Sequence, residues 1–458
     1  GAIESLSSNF SQWTMMSYVG RINYGLMDRY LLTASLRYDG SSRLSEGNKW
    51  ALFPSAAIAW RITEEDFAKN LDWLSNLKLR FSYGQAGNTN SVSPYASEGT
   101  ISGSVYYPFG TSTSVGNLPA NIANPMLTWE RTSEYNVGLD FGFLNQRISG
   151  NIEYYNRTTN DLLMKRNIPV HLGYSSVTSN VGSVRNSGFE LQLNTANIMT
   201  KNFAWNTTIN LAYNKNEIVS LADEEDLSNY SIHLQGMRGR YSDKRFIGKP
   251  VDTNWTQNTI GVWQLGEEKE AAKYGCVPGN FKIKDYNNDG KLTDDDYIID
   301  GKRTPDWTGG MTNMFKIYDF DFSFHMYFQA GATQYDRFFE NFALEWNSQN
   351  FNNLRTNYWT PENPSNTMGR PSQMGSRGNI AYERTDFLKV SYITLGYTLN
   401  KRLMSKWGLD NARIYVTVQN PFILTKFRGL DPEQPDLTNI GDTDGMTMNA
   451  LLGVNISF

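Results

Sequence analysis

Alternation of apolar and polar residues, sustained over about nine to eleven positions and recurring along the chain, is the feature that most restricts its fold. In DFDFSFHMYFQAG, Phe320, Phe322, Phe324, Met326 and Phe328 share one face, opposite Asp321, Ser323, His325, Tyr327 and Gln329. EYNVGLDFGF sets Tyr135, Val137, Leu139, Phe141 and Phe143 against Asn136, Gly138, Asp140 and Gly142. LKLRFSY sets Leu77, Leu79, Phe81 and Tyr83 against Lys78, Arg80 and Ser82. A helix cannot use such a pattern, because its faces repeat every 3.6 residues rather than every two. Thirteen strands are predicted, near residues 17–27, 29–39, 52–62, 77–86, 133–144, 147–157, 187–197, 203–214, 306–317, 319–330, 387–399, 412–424 and 446–458.

A soluble sandwich alternates too. Two observations favour a membrane barrel. The apolar faces are long enough to cross a bilayer at a barrel's tilt. Short connections such as LMDR, LNQ and IYD also alternate with long ones over 87–131, 214–304 and 331–386. That is the arrangement of short periplasmic turns and long extracellular loops. The expected fold is therefore all-β, a transmembrane antiparallel β-barrel. Single-chain bacterial barrels have even strand numbers, so thirteen strands predict that residues 1–458 are the C-terminal part of a larger barrel. The last strand, MTMNALLGVNISF, ends on Phe458, like the signal that bacterial outer-membrane assembly machinery reads.

Composition agrees with this reading. The 24 Phe, 26 Tyr and 12 Trp would supply a lipid-facing belt and its girdles. A mean hydropathy of −0.50 does not oppose it, because lumen-facing residues dilute the average. No stretch reaches the roughly 18 apolar residues of a transmembrane helix. A net charge of −4 gives no reason to expect nucleic acid. The single Cys276 rules out an internal disulfide framework. GSSRLSEG and GQAGN lack the phosphate-binding loop pattern.

One motif stands apart. KDYNNDGKLTDDD, residues 284–296, fits the spacing of a calcium loop without flanking helix patterns. Asp285, Asn287 and Asp289 would supply side-chain oxygens, Gly290 the sharp turn and Lys291 a carbonyl oxygen. Thr293 would act through water, and Asp296 takes the last ligand position. The expectation is a structural Ca²⁺ that staples the 214–304 loop into one shape. An Asx-rich turn is the alternative. His171, His233 and His325 are too far apart in sequence to form a metal spacing. The acid pairs Glu224/Glu225 and Glu267/Glu268 read as solvated loop residues rather than glycosidase carboxylates. Tyr106, Tyr107, Trp129, Trp255, Trp263 and Trp346 could stack on sugars, pack the loops or touch a partner. No catalytic residues are expected, and no substrate-contacting residue can be singled out.

Several stretches resemble one family. DRYLLTASLRYDGSSRLSEGNKWALFPSAAIAWRITEEDF, TWERTSEYNVGLDFGFLNQRISGNIEYYNRTTNDLL, VGSVRNSGFELQLNT and FLKVSYITLGYTLNKRLMSKWGLDNARIYVTVQNPF are similar to the SusC/RagA family of TonB-dependent outer-membrane transporters. The resemblance covers essentially the whole chain. It implies a barrel of about 22 strands in the outer membrane of a Gram-negative bacterium, plugged by an N-terminal domain. That plug, the TonB box and the first strands are not among residues 1–458. It further implies oligosaccharide import beneath a SusD-like surface lipoprotein, driven by TonB acting on the missing N-terminal region. An oligopeptide importer of the same architecture is one alternative. Another is a calcium-stabilised glycan-binding barrel without transport.

Overall fold

The computed structural model describes all residues except 1–9, 169–170, 172, 175, 222–227, 230–237, 241–244, 345–354, 372–375, 401–403, 405–407 and 436–445. Its main sheet contains β1 (Met15–Leu26), β2 (Tyr30–Ser41), β3 (Trp50–Arg61), β4 (Leu74–Asn88), β5 (Glu130–Phe143), β6 (Ile148–Asn160) and β7 (Ser183–Met199). It continues with β8 (Phe203–Ser220), β9 (Trp307–Ile317), β10 (Phe320–Ala330), β11 (Phe387–Thr398), β12 (Asn411–Thr425) and β13 (Asn449–Ser457). The thirteen strands lie in the sheet in chain order. Each of the thirteen strands expected from the alternation is present.

Short and long connections alternate as expected. At the tight ends the chain turns on residues with positive φ. Met27 (φ 52°) and Asp28 (φ 55°) join β1 to β2, with the Arg29 amide donating to the Leu26 carbonyl at 3.1 Å. Positive φ at both central residues matches the right-handed twist of the flanking strands. β7 and β8 run further than their apolar pattern indicates, to Ser183 and Ser220. There Arg185 pairs with Glu217 at 2.8 Å and the Ser183 and Ser220 hydroxyls bond at 2.8 Å.

The chain divides into two compact units. One is Gly1–Asp140 with Glu153–Ser187 and Asn216–Asp226; the other is Phe141–Ile152 with Gly188–Lys215 and Leu227–Phe458. In the second unit, the register aligns Phe322 with Leu395, Leu395 with Val416, and Val416 with Leu452. Residues directly opposite one another share a face. Leu395 is 52% exposed and Leu452 75%, so this apolar row has no protein over it. A contiguous apolar surface of this kind is costly in water and is at home against lipid.

The opposite face is polar. Thr394 and Thr417 share a hydroxyl hydrogen bond of 2.8 Å, and Arg413 forks onto Asp321 at 2.8 and 2.5 Å. That ion pair passes over β11 at Gly396, where a Cβ would lie 2.5 Å from an atom of each partner and would push the pair aside. The first unit repeats the device. Arg80 bonds Asp140 and Glu153, each at 2.8 Å, Lys78 bonds Asp140 at 2.7 Å, and Gly138 lies beneath the Arg80 guanidinium.

Spin labels at Phe322, Phe324, Val416 and Ile456 are expected to respond to a lipid-soluble relaxant. Labels at Asp321, Ser323, Thr417 and Asn455 should respond to a water-soluble one. Phe324→Arg, mid-strand on the apolar face, should destabilise the lipid-embedded protein by about 2–4 kcal/mol in denaturant titrations. Equal responses from both label sets would contradict this orientation.

Candidate functional site

The tightest packing lies in the long connections. In the first unit, Leu44, Val92, Leu127 and Trp129 come from loops and pack against Ala51 and Phe53 at the start of β3. Trp129 meets Phe53 edge-on, with centroids 5.4 Å apart, and its indole N–H donates to the Lys49 carbonyl at 3.0 Å. In the second unit, the connections after β8 and β10 build a shared core. Val262 and Phe281 from the first pack with Phe339, Ala343, Leu344, Trp359, Met368 and Ala381 from the second. Two small ladders support it: Thr253–Gln257 on Tyr297–Lys302, and Thr259–Val262 on Phe281–Ile283. The 214–304 stretch thus contains strands and a helix, Glu268–Lys273, that its sequence did not announce.

The 285–296 loop is tied to the same connection, where the Asn258 amide group donates to the Tyr286 hydroxyl at 3.0 Å. Asn288 (φ 56°) and Gly290 (φ 79°) make the reversal. The Asp285 carboxylate is buried and accepts the amides of Asn288 at 2.6 Å and Gly290 at 2.9 Å, and the Tyr274 hydroxyl at 3.0 Å. Burial opposes its ionisation, but these donors outweigh burial and hold the carboxyl below the usual carboxylate range. Asp296 is fully buried and accepts the amides of Tyr286 and Thr293, each at 2.8 Å. Thr293 caps the single turn of 3₁₀ helix at Asp294–Asp296. Asp289 accepts the Lys291 amide at 2.8 Å and receives the Asn287 amide group at 3.1 Å.

The structure therefore brings the expected ligand residues into one closed loop. Their oxygens take backbone amides, and among the described residues no group of three or more His, Cys, Asp or Glu side chains converges on a metal position. The turn conformation and the donor chemistry fit a calcium loop. The carboxylates as placed do not form a cage.

The other sequence candidates separate. Trp255 is buried against Phe246 and Tyr297. Trp263 stacks on Tyr274, with the Lys282 ammonium 4.2 Å from its ring centre. Glu267 accepts the Gln264 amide at 2.9 Å and pairs with Lys282 at 2.8 Å, while Glu268 accepts the Gly266 amide at 2.9 Å; these acids hold the turn that leads into the Glu268–Lys273 helix. His325 bonds Thr312 through Nδ1 at 2.9 Å, and His171 is exposed. His233, Glu224, Glu225 and Trp346 lie outside the described residues.

Two surfaces were not legible as units, although Tyr106 and Tyr107 of the first were among the loop aromatics singled out in the sequence. The first is a hairpin, Ile101–Phe109 paired with Ser112–Pro119, that holds Tyr106 (68%), Phe109 (64%) and Val115 (66%) in solvent. The second is a hollow of about 690 Å³ lined by Thr33, Ser55, Ser82, Thr132, Thr159 and Asn186, with the Glu134–Arg157 ion pair at its edge. Thr132 and Thr159 bond each other across it at 2.9 Å.

A long antiparallel sheet with one bare apolar face, one polar face and core-bearing loops defines an outer-membrane-type β-barrel protein. Residues 4–310 match the model described as TonB dependent receptor-like, beta-barrel, and the chain belongs to that family. It is 34% identical to the TonB-dependent receptor SusC of Bacteroides thetaiotaomicron, over 97% of this chain and 44% of SusC. It is 33% identical to the TonB-dependent receptor P26 of Formosa agariphila, over 99% of this chain and 47% of that protein. These homologues bear out the SusC/RagA resemblance. The structure of the RagAB peptide transporter superposes with a TM-score of 0.77 at 24% identity, covering 97% of this chain and 48% of that one. The chain spans about half the length of the curated relatives it matches.

Removing the Asp296 carboxylate takes the acceptor from the half-buried Tyr286 and Thr293 amides, which costs about 1 kcal/mol. Asp296→Ala should therefore speed proteolysis within residues 284–300 while leaving the sheet's far-ultraviolet dichroism unchanged. A cleavage pattern identical to wild type would contradict this role.

Proposed function

We propose that this chain forms the C-terminal wall of a TonB-dependent outer-membrane importer of oligosaccharides. The plug domain and the first strands belong to a region outside residues 1–458, on which TonB acts. A SusD-like surface lipoprotein lies over the long loops. The observation that carries the reading is the hollow lined by Thr33, Ser55, Ser82, Thr132, Thr159 and Asn186 on the polar face. Hydroxyl and amide groups exchange hydrogen bonds with sugar hydroxyls at little net cost. They offer neither the clustered acids nor an activated nucleophile that cleavage needs. The similarity to the TonB-dependent receptor SusC supports the TonB-dependent part of this reading.

The test is uptake. A strain deleted for the gene and complemented with it should import members of a panel of fluorescently labelled oligosaccharides only when TonB is energised. Ser82→Val combined with Thr132→Val should lower that uptake several-fold without lowering the amount of protein in the membrane. Import of oligopeptides instead of oligosaccharides would favour the peptide-importer alternative, which has the RagAB fold as its support. Surface binding without energy-dependent import would reduce the protein to a receptor.

The exposed apolar hairpin at 101–119 is the surface proposed for the lipoprotein. An apolar patch of this kind is a mark of a protein interface. Tyr106→Asp with Phe109→Asp should release the lipoprotein from the detergent-solubilised complex. Retention of both proteins in one size-exclusion peak would count against this assignment.

Calcium is proposed as a staple for the 285–296 loop, held by Asp285, Asn287, Asp289, the Lys291 carbonyl and Asp296, with Thr293 acting through water. Its support is the ligand spacing and the positive-φ reversal at Asn288 and Gly290. When bound, the ion would neutralise the three carboxylates. Chelator should then raise protease sensitivity over residues 265–303 and leave the strands intact. Identical digestion patterns with and without chelator would leave an Asx-rich turn.

A further inference from the structure

On the apolar face of the first unit, beside the tight turn at Met27 and Asp28, the sheet carries a hollow of about 480 Å³. Four strands build it through their register. One row runs Tyr24, Leu32, Ile58 and Phe81 across β1 to β4, and the next runs Leu26, Tyr30, Trp60 and Leu79. Ile58, at the centre, is 55% exposed, so the hollow opens outward. The row beyond, Ile22, Ala34 and Ala56, stays low because alanine carries a single methyl. A chain leaving the hollow therefore has a path along the strands.

The polar edges of its two amphipathic rings point elsewhere. The Tyr30 hydroxyl donates to Glu65 at 2.7 Å and the Trp60 indole N–H to the same carboxylate at 3.0 Å, which leaves the wall of the hollow apolar. Glu65 belongs to the connection after β3, residues 62–73, where Phe67 is exposed among charged residues. Aromatic and charged side chains at the tight-turn end are the make-up of a periplasmic membrane–water interface. The cations there are matched: Arg29 pairs with Glu65 at 2.9 Å, Arg61 with Glu64 at 3.0 Å and Lys69 with Asp66 at 2.9 Å. Lys78, at the start of β4, is taken by Asp140. Arg61 also donates to the Asp28 carbonyl at 3.1 Å, which ties the two turns together. Asp28 and Asp72 are exposed, and neither pairs with a cation among the described residues. The belt beside the hollow is therefore net negative.

We propose that this hollow seats one acyl chain of a phospholipid whose headgroup carries an ammonium, as ethanolamine does, with that headgroup at the 62–73 connection. The hollow is continuous with the lipid-facing surface of the sheet, and a concave wall touches a chain on more sides than a flat one, so dispersion contacts add up there. The ammonium lies by Asp28 and Asp72, and the same acids repel a headgroup with net negative charge. The site is on the apolar face, separate from the polar hollow assigned to cargo, and holds a resident lipid rather than a transported one.

Photo-cross-linking of the full-length transporter, delipidated in mild detergent, tests it with two probes. These are phosphatidylethanolamine and phosphatidylglycerol, each bearing a diazirine in one acyl chain. The ethanolamine probe should label residues 22–32 and 56–60 several-fold more than residues 320–330 of the second unit's apolar face, and more than the glycerol probe does. Ile58→Trp, or Leu32→Trp from the neighbouring strand, fills the hollow and should lower that labelling to the level of residues 320–330. Asp28→Asn with Asp72→Asn should narrow the gap between the two probes and leave the hollow labelled. An unaltered heat-modifiable band on gels would show that the variants fold. Labelling spread evenly over the sheet, labelling that survives both tryptophan substitutions, or equal labelling by the two probes would overturn the inference. Absence of label from the hollow, the result expected if a protein covers this face, would overturn it as well.

Discussion

A backbone amide carried into hydrocarbon has no water to bond and must find its partner in a neighbouring strand. The rest of the structure follows from that constraint. Thirteen strands pair in chain order, because sequential antiparallel pairing needs only short hairpins at one end. One face can then be apolar without limit, as the bare row from Phe322 through Leu395 and Val416 to Leu452 shows. The other must settle its charges internally. Arg413 with Asp321 and Arg80 with Glu153 do so across an intervening strand, and Lys78 and Arg80 with Asp140 between neighbouring strands. Glycine at 396 and 138 gives those side chains their room.

A sheet of this kind has no hydrophobic core of its own. The apolar burial that an ordinary domain places between layers is found here in the connections. Phe281, Val262 and Trp359 in the second unit, and Leu44, Leu127 and Trp129 in the first, are almost wholly buried. Loops of this length otherwise stay mobile, and a mobile loop cannot hold a partner or a ligand in one geometry. The Asp285 loop belongs to this scheme. Two buried carboxylates, Asp285 and Asp296, gather five donors between them and fix the reversal. An ion would add to a shape that packing and amides already define.

The strands were legible because a period of two leaves a mark in every pair of residues, and a slip of one would turn each apolar side chain inward. Their ends were less so: β7 and β8 are extended by Arg185 and Glu217, residues 32 positions apart whose pairing no local pattern records. The loop core was not legible. Trp129, Trp255 and Trp263 look alike in the sequence whether they are displayed or buried, and the structure buries all three. The hairpin at 101–119 does alternate, but its Gly, Ser and Thr content reads as irregular loop. The 285–296 reversal was legible as an Asx-rich turn, with positive φ at Asn288 and Gly290.

The central claim is that the long connections are folded bodies with their own cores, built on a sheet whose backbone is satisfied in lipid. Hydrogen–deuterium exchange of the full-length protein in lipid nanodiscs, with calcium present, tests it most directly. The account predicts that amides of Thr253–Gln257 and Tyr297–Lys302 are protected to nearly the same degree as those of Phe320–Ala330. Exchange of those loop amides at unstructured-chain rates, beside a protected sheet, would contradict it.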